Sequence, residues 1–275
     1  MSKITEQPFH IRSNSMPSTS HPTVQRVEEL LHKQRAHVSS SRATKFVCDG
    51  LRNLGDLFEL IDELIRLPTN QQSLHPGQKK LVEGQLEDSL MLLDLIVNVR
   101  GCIVSMGEHV KDLYSSLRRK GNEALSTKNI HKLLKNCRRT LVRMNHKSLS
   151  CSVGEKDSST LVKASEEARM SSISLLQSVV SFLSKPKQKG SRWSLVSKKR
   201  VACKESAIEE ESADMWLQAS YDCVASKEAD GMQVLEAQNC LESLEIKLES
   251  LESGLDCLYK RLIQNRVSLL NLLSL

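Results

Sequence analysis

Apolar residues recur along most of this chain at intervals of three and four, the spacing that gathers side chains on one face of an α-helix. The strongest run lies late in the sequence. Leu241, Leu244, Leu248, Leu251, Leu255, Leu258, Leu262, Asn265, Leu269 and Leu272 alternate steps of three and four through five heptads, with one polar residue among the ten. The spacing predicts a long helix starting near Ser226 with a coiled-coil seam. Glu242, Glu245, Glu249 and Glu252 fall toward its start and Lys260, Arg261 and Arg266 toward its end, the sense that complements the helix dipole. Asn265 is the kind of seam residue that sets register or partner number. Such a seam serves equally as the wall of an intramolecular bundle or as an intermolecular coiled coil.

The rest of the chain repeats the theme less regularly. Thr23 suits the cap of a helix carrying Val24, Val27, Leu30 and Leu31 and ending in the serines 39–41. Val47, Leu51, Leu54, Phe58, Ile61 and Ile65 form the next seam, stopped by Pro68, which has no amide to donate; a loop is expected from Pro68 to Gln78. From Lys79 to Arg119 the pattern predicts one helix with Val82, Leu86, Leu90, Leu93, Val97, Val104, Val110, Leu113 and Leu117 on or near one face. Leu90 to Val99 is apolar almost all round, which predicts a helix buried on several sides and reads Asp94 as a buried or interface carboxylate. Ile130, Leu134, Cys137, Leu141 and Met144 define a fourth helix, capped by Ser126 or Thr127. Its opposite face holds Lys128, Lys132, Lys135, Arg138, Arg139, Arg143 and Lys147, with no acid between 128 and 147. Ala164, Ala168, Ile173, Leu176, Val180 and Leu183 mark a further helix from Thr160 to Leu183.

Breaks in the pattern divide the chain. Residues 1–22 lack periodicity and read as a disordered tail, 23–184 as a helical bundle, and 185–206 as a basic flexible connector. Residues 207–275 read as a short acidic helix, with Glu209, Glu210, Glu211 and Asp214, followed by the heptad helix, both packed on the bundle. Composition points the same way. Of 275 residues, 9 are aromatic, 17 are Gly or Pro and 41 are Leu, too few turn and strand formers for a sheet protein. The expected fold is all-α: an elongated multi-helix bundle with a long C-terminal heptad helix and a disordered N-terminal tail.

Charge and chemistry add limits. The net charge of +6 permits an anionic partner without demanding one. The longest strongly apolar run is the ten residues Leu90 to Val99, so no transmembrane helix is expected, and no secretory signal is expected from the first twenty residues. The eight cysteines never fall as C-x-x-C, and no H-E-x-x-H, G-x-S-x-G or phosphate-binding glycine loop occurs. Asp62 with Glu63, or Asp94 with His109, are isolated polar groups with nothing to fix a nucleophile, base and orienting group together. No catalysis, metal or cofactor is expected.

Five segments taken together suggest a family. They are His10 to Ser18 (HIRSNSMPS), Leu67 to Gln72 (LPTNQQ), Glu87 to Asp94 (EDSLMLLD), Leu117 to Lys120 (LRRK) and Arg261 to Asn271 (RLIQNRVSLLN). In this order they closely resemble a plant family related to the BYPASS proteins, and the likeness spans nearly the whole chain. Met16 stands where relatives favour Phe. The resemblance implies a helical protein connected with root and shoot development, with no activity or cofactor established for the family.

Three surfaces are candidates for contact with partners. Arg12, Ser13, Ser15 and Pro17 fit R-S-x-S-x-P, in which a phosphoserine at 15 would sit in the arginine-lined groove of a 14-3-3 protein. The basic face from Lys128 to Lys147 suits anionic lipid. It suits nucleic acid poorly, because no aromatic residue interleaves for base stacking. The seam from Leu241 to Leu272 suits protein partners, a second copy of the chain included. Lys185 to Arg200 resembles a bipartite nuclear localisation signal, but lysine-rich connectors arise often, so the nucleus ranks below the cytoplasm. The leading expectation is a non-enzymatic scaffold or adaptor of root and shoot development, docking through its C-terminal helix and phosphorylatable tail. The alternative is a peripheral membrane protein held by the basic helix and the apolar stretch Val267 to Leu275.

Overall fold

Pro22 opens the first helix in the computed structural model, at the position where a missing amide costs nothing; the ring Nδ1 of His21 accepts the Thr23 amide at 3.3 Å. The structure describes residues 21–40, 44–71, 76–119, 128–151, 160–184, 212–225 and 231–274. They form α1 (Pro22–Ser40), α2 (Thr44–Ile65), the single turn α3 (Pro68–Gln71), α4 (Pro76–Arg119), α5 (Lys128–Cys151), α6 (Thr160–Phe182), α7 (Ala213–Ala225) and α8 (Gly231–Leu273), with no strand among the described residues. The all-α expectation is met. Pro68 and Pro76 each begin a helix where a loop from Pro68 to Gln78 was expected, and His21, not Thr23, caps α1. Asn70 of α3 donates its side-chain amide to the Leu64 carbonyl at 2.8 Å, satisfying a terminal acceptor of α2. α8 is described from Gly231, and the expected start near Ser226 lies outside the described residues.

Two long helices make the spine. α4 and α8 have 44 and 43 residues, about 65 Å each at the usual helical rise. They run antiparallel: Arg100 meets Asp256 at 2.8 Å and Glu252 at 3.6 Å, Lys111 meets Glu245 at 3.8 Å, and Arg266 donates to Ser89 Oγ at 3.0 Å. α2 runs parallel to α8, because Glu59 pairs with Arg261 and Asp62 with Asn265, at offsets of 202 and 203 residues. α6 packs on both α2 and α4, so α2, α8, α4 and α6 form a four-helix bundle with α2 and α4 across the core. α1 lies over α2 and α6, tied by Arg35 to Glu167 at 2.5 Å and Arg26 to Glu63 at 3.6 Å. α5 lies over α4 and α6. α7 lies on α8 and α4 beyond the start of α2, with Lys247 Nζ 3.9 Å from the centre of the Trp216 ring and Tyr221 against His109.

Two glycines let α2 approach its neighbours. A Cβ at Gly254 of α8 would lie 3.1 Å from Leu51, and one at Gly50 of α2 would lie 2.8 Å from Leu175 of α6.

α4 departs from its pattern in one respect. Its buried line is Leu92, Ile96, Val99, Ile103, Met106, Val110, Leu113 and Leu117, whereas Leu90, Val97 and Val104, grouped above with the apolar face, are 50%, 52% and 45% exposed. Asp94 is exposed as well, so it is no buried carboxylate. The all-round apolar stretch holds two competing heptad lines, and only one can face the core. α4 is also longer in its apolar reach than the ten-residue run suggests. An 18-residue window of mean hydropathy 1.7 makes it long and apolar enough to cross a membrane, although 44% of that window is buried inside the fold.

Candidate docking face

The seam of α8 lies inside the chain. Leu241, Leu244, Leu248, Leu251, Leu255, Leu258, Leu262, Asn265, Leu269 and Leu272 are all buried against the other helices. Asn265 finds its partner within the same core: its amide donates to Asp62 Oδ1 at 3.2 Å. Burial pushes the Asp62 carboxyl above its ordinary range, while hydrogen bonds from Asn265 and Ser268 and the charges of Arg66 and Arg261 pull it back. The polar seam residue therefore fixes the register of α8 against α2 within one molecule.

α5 presents the opposite situation. Its periodicity buries Ile130, Leu134, Cys137, Leu141 and Met144 against α4 and α6. Turning that face inward turns Lys132, Lys135, Arg138, Arg139 and Arg143 outward, all exposed, together with His131, His146 and Val142. Lys128 and Lys147 belong to the same helix, but their side chains lie outside the described residues. Seven of the ten described arginines outside α5, Arg26, Arg35, Arg52, Arg66, Arg100, Arg169 and Arg261, form ion pairs, and an eighth, Arg266, bonds the Leu86 carbonyl and Ser89, which leaves Arg118 and Arg119 at the end of α4 without an ion pair among the described residues. No ion pair among the described residues involves the five outward cations of α5. Like charges three and four residues apart on one helix repel, so α5 carries a positive field that an external anion would relieve.

Arg12, Ser13, Ser15 and Pro17 lie outside the described residues, as do the connector 185–206 and Glu209, Glu210 and Glu211. The tail and connector expectations rest on sequence alone.

Several buried polar groups carry no sequence signal of their own. Arg169 of α6 is 6% exposed and stands 3.6 Å from Asp88 of α4 and 2.5 Å from Glu166. His109 is buried against Tyr221, and burial holds its imidazole below the usual range despite Asp112 nearby. Cys102 and Cys137 meet in the α4–α5 contact, where the thiol–thiol hydrogen bond, and after it burial, pushes the Cys102 thiol well up. Among the described residues no three His, Cys, Asp or Glu side chains gather as a metal site. An open depression of about 750 Å³ along the outside of α8 is lined by Glu249, Glu252, Ser253, Asp256, Cys257, Lys260, Arg261 and Gln264.

Fold and surface together define an all-helical protein whose most distinctive exposed feature is one helix face of cations that form no ion pair among the described residues. The family model described as Protein BPS1 matches residues 50–272, and the chain belongs to that family, in agreement with its resemblance to BYPASS-related proteins. No curated protein and no solved structure matches it.

Proposed function

We propose that this is a non-enzymatic helical protein of plant development that attaches to anionic membrane surfaces through the outer face of α5. The observation that carries the reading is the concentration on one helix face of five exposed cations with no ion pair among the described residues, where seven of the ten described arginines outside α5 are ion-paired. A helix that packs by its apolar side and offers a row of cations to solvent is built to sit on phosphate groups. The family match supports the developmental setting. An adaptor reading in which α8 docks other proteins has less to draw on, because the seam residues are buried in this chain.

Vesicle flotation tests the proposal. The protein should float with phosphatidylcholine vesicles only when they contain phosphatidylserine, and binding should weaken as salt is raised. Near an anionic surface each Lys or Arg contributes about 1 kcal/mol, so R138Q/R139Q/R143Q should lose about 3 kcal/mol, roughly a hundredfold in partition coefficient. Equal binding to neutral vesicles, or a triple variant that binds as well as the parent, would overturn it.

A further inference from the structure

The exposed apolar residues of α4 are not scattered. Leu90, Val97 and Val104 stand seven residues apart and so form one line along the helix. Neighbouring positions fix where that line points. Arg100 reaches α8 at Asp256, and a Cβ on Gly101 would come within 3.9 Å of Leu133 on α5. Positions 97 and 104, three and four residues to either side, lie between those two directions. The line therefore runs over the outer side of α4 with α8 on one flank and α5 on the other.

α8 extends the apolar surface. The contacts of Arg266 with Ser89 and with the Leu86 carbonyl bring the stretch around 263–270 level with Leu90. There Ile263, Val267 and Leu270, at steps of four and three, are 40%, 51% and 45% exposed. Two apolar rows on adjacent helices are thus bordered by α5, on whose flank nearer α4 the cations Lys132, Arg139 and Arg143 recur at steps of seven and four.

We infer that Leu90, Val97 and Val104 of α4, with Ile263, Val267 and Leu270 of α8, are the apolar half of the membrane contact, entering the boundary between headgroups and acyl chains while α5 holds the phosphates. The inference rests on the membrane reading above and gives it a geometry: one broad side of the molecule, cationic along α5 and apolar along α4 and the adjoining part of α8. An anionic bilayer suits this side because it offers both components in that arrangement, phosphates at the level of the cations and hydrocarbon just beneath. Charge alone gives binding that salt abolishes. Charge with an apolar row gives binding that salt only weakens.

The test uses the full chain and vesicles of phosphatidylcholine with phosphatidylserine, at low salt and at about 1 M salt, where the screening length falls to about 3 Å. The parent protein should keep a measurable part of its binding at high salt. L90S/V97S/V104S should lose that part and bind roughly tenfold or more weakly at low salt, while I246S, which removes an exposed apolar residue on another face of α8, should bind like the parent. All three target positions are about half exposed, so the melting temperature of the triple variant should stay close to the parent's and show that the fold is intact. If the parent binds and R138Q/R139Q/R143Q does not, but the serine variant retains full binding in high salt, this inference fails and the α5 reading stands. If the parent binds no anionic vesicle, both fail. A concentration-dependent doubling of mass that only the serine variant abolishes would assign the rows to contact with a second copy and overturn the inference.

Discussion

Replacing Leu255 tests the assignment of the heptad seam to the interior. Its side chain is fully buried, close to where Gly254 touches Leu51 of α2. Leu255→Ala removes buried methyl groups and leaves a cavity that helices held this closely cannot fill, at a cost of about 3 kcal/mol. For a domain of this size that lowers the melting temperature by roughly 6–12 °C. Leu255→Lys goes further. An unpaired ammonium in an apolar core adds several kcal/mol, enough together with the lost packing to consume most of a typical stability of about 5–15 kcal/mol. Ile246→Lys is the control, on the same helix but 58% exposed, and it should change stability by no more than about 0.5 kcal/mol. Thermal melts followed by circular dichroism, with sedimentation of each variant, read the outcome. A Leu255→Lys protein that melts like the parent, or that stays folded while losing a subunit, would refute burial of the seam within one chain.

Two further expectations concern buried titratable groups. Because burial raises the Asp62 carboxyl, ionising it opposes folding above its folded-state pKa, and that cost disappears as pH falls below the ordinary carboxylate range. Asp62→Asn, still able to accept from Asn265, should therefore equal or exceed the parent's stability at pH 7 and lose the advantage near pH 4; a clear loss at pH 7 in urea titrations would contradict this. Alkylation with iodoacetamide should modify exposed Cys257 in the folded protein before Cys48, Cys102 or Cys137, which are buried, and peptide mass mapping showing Cys102 modified first would contradict the packing of α5 on α4.

Much of the fold is legible in spacing alone, because a helix with one apolar face announces both its existence and its inward side. The α8 seam and the inward and outward faces of α5 follow directly from their residues. α4 misleads where it is richest in apolar residues. With leucine, isoleucine or valine on nearly every side of residues 90–99, periodicity does not separate the line of Leu92, Ile96 and Val99 from that of Leu90 and Val97; contact with α6 and α8 decides. The pairing of Asn265 with Asp62 joins residues 203 positions apart, and Arg169 meets Asp88 on another helix, relations that no local pattern encodes. The cationic row is visible in the sequence. Its lack of ion pairs among the described residues is not, since that depends on which carboxylates the fold brings near.

The parallel pairing of α2 with α8 bears on how the chain reaches its folded state. Glu59 and Arg261 are 202 residues apart, so α2 leaves the ribosome long before the helix that covers much of its apolar face exists. At about 5–20 residues per second the wait is roughly 10–40 s, and during it Leu51, Leu54 and Phe58 depend on α1 and α6 or on a chaperone for cover. Contacts of such long range also place the bundle among slowly folding helical topologies despite its purely local secondary structure. Synthesis interrupted before α8 would leave α2 and α4 each short of a neighbour, and a nascent product with two greasy helix faces is a substrate for quality control more than a smaller working protein.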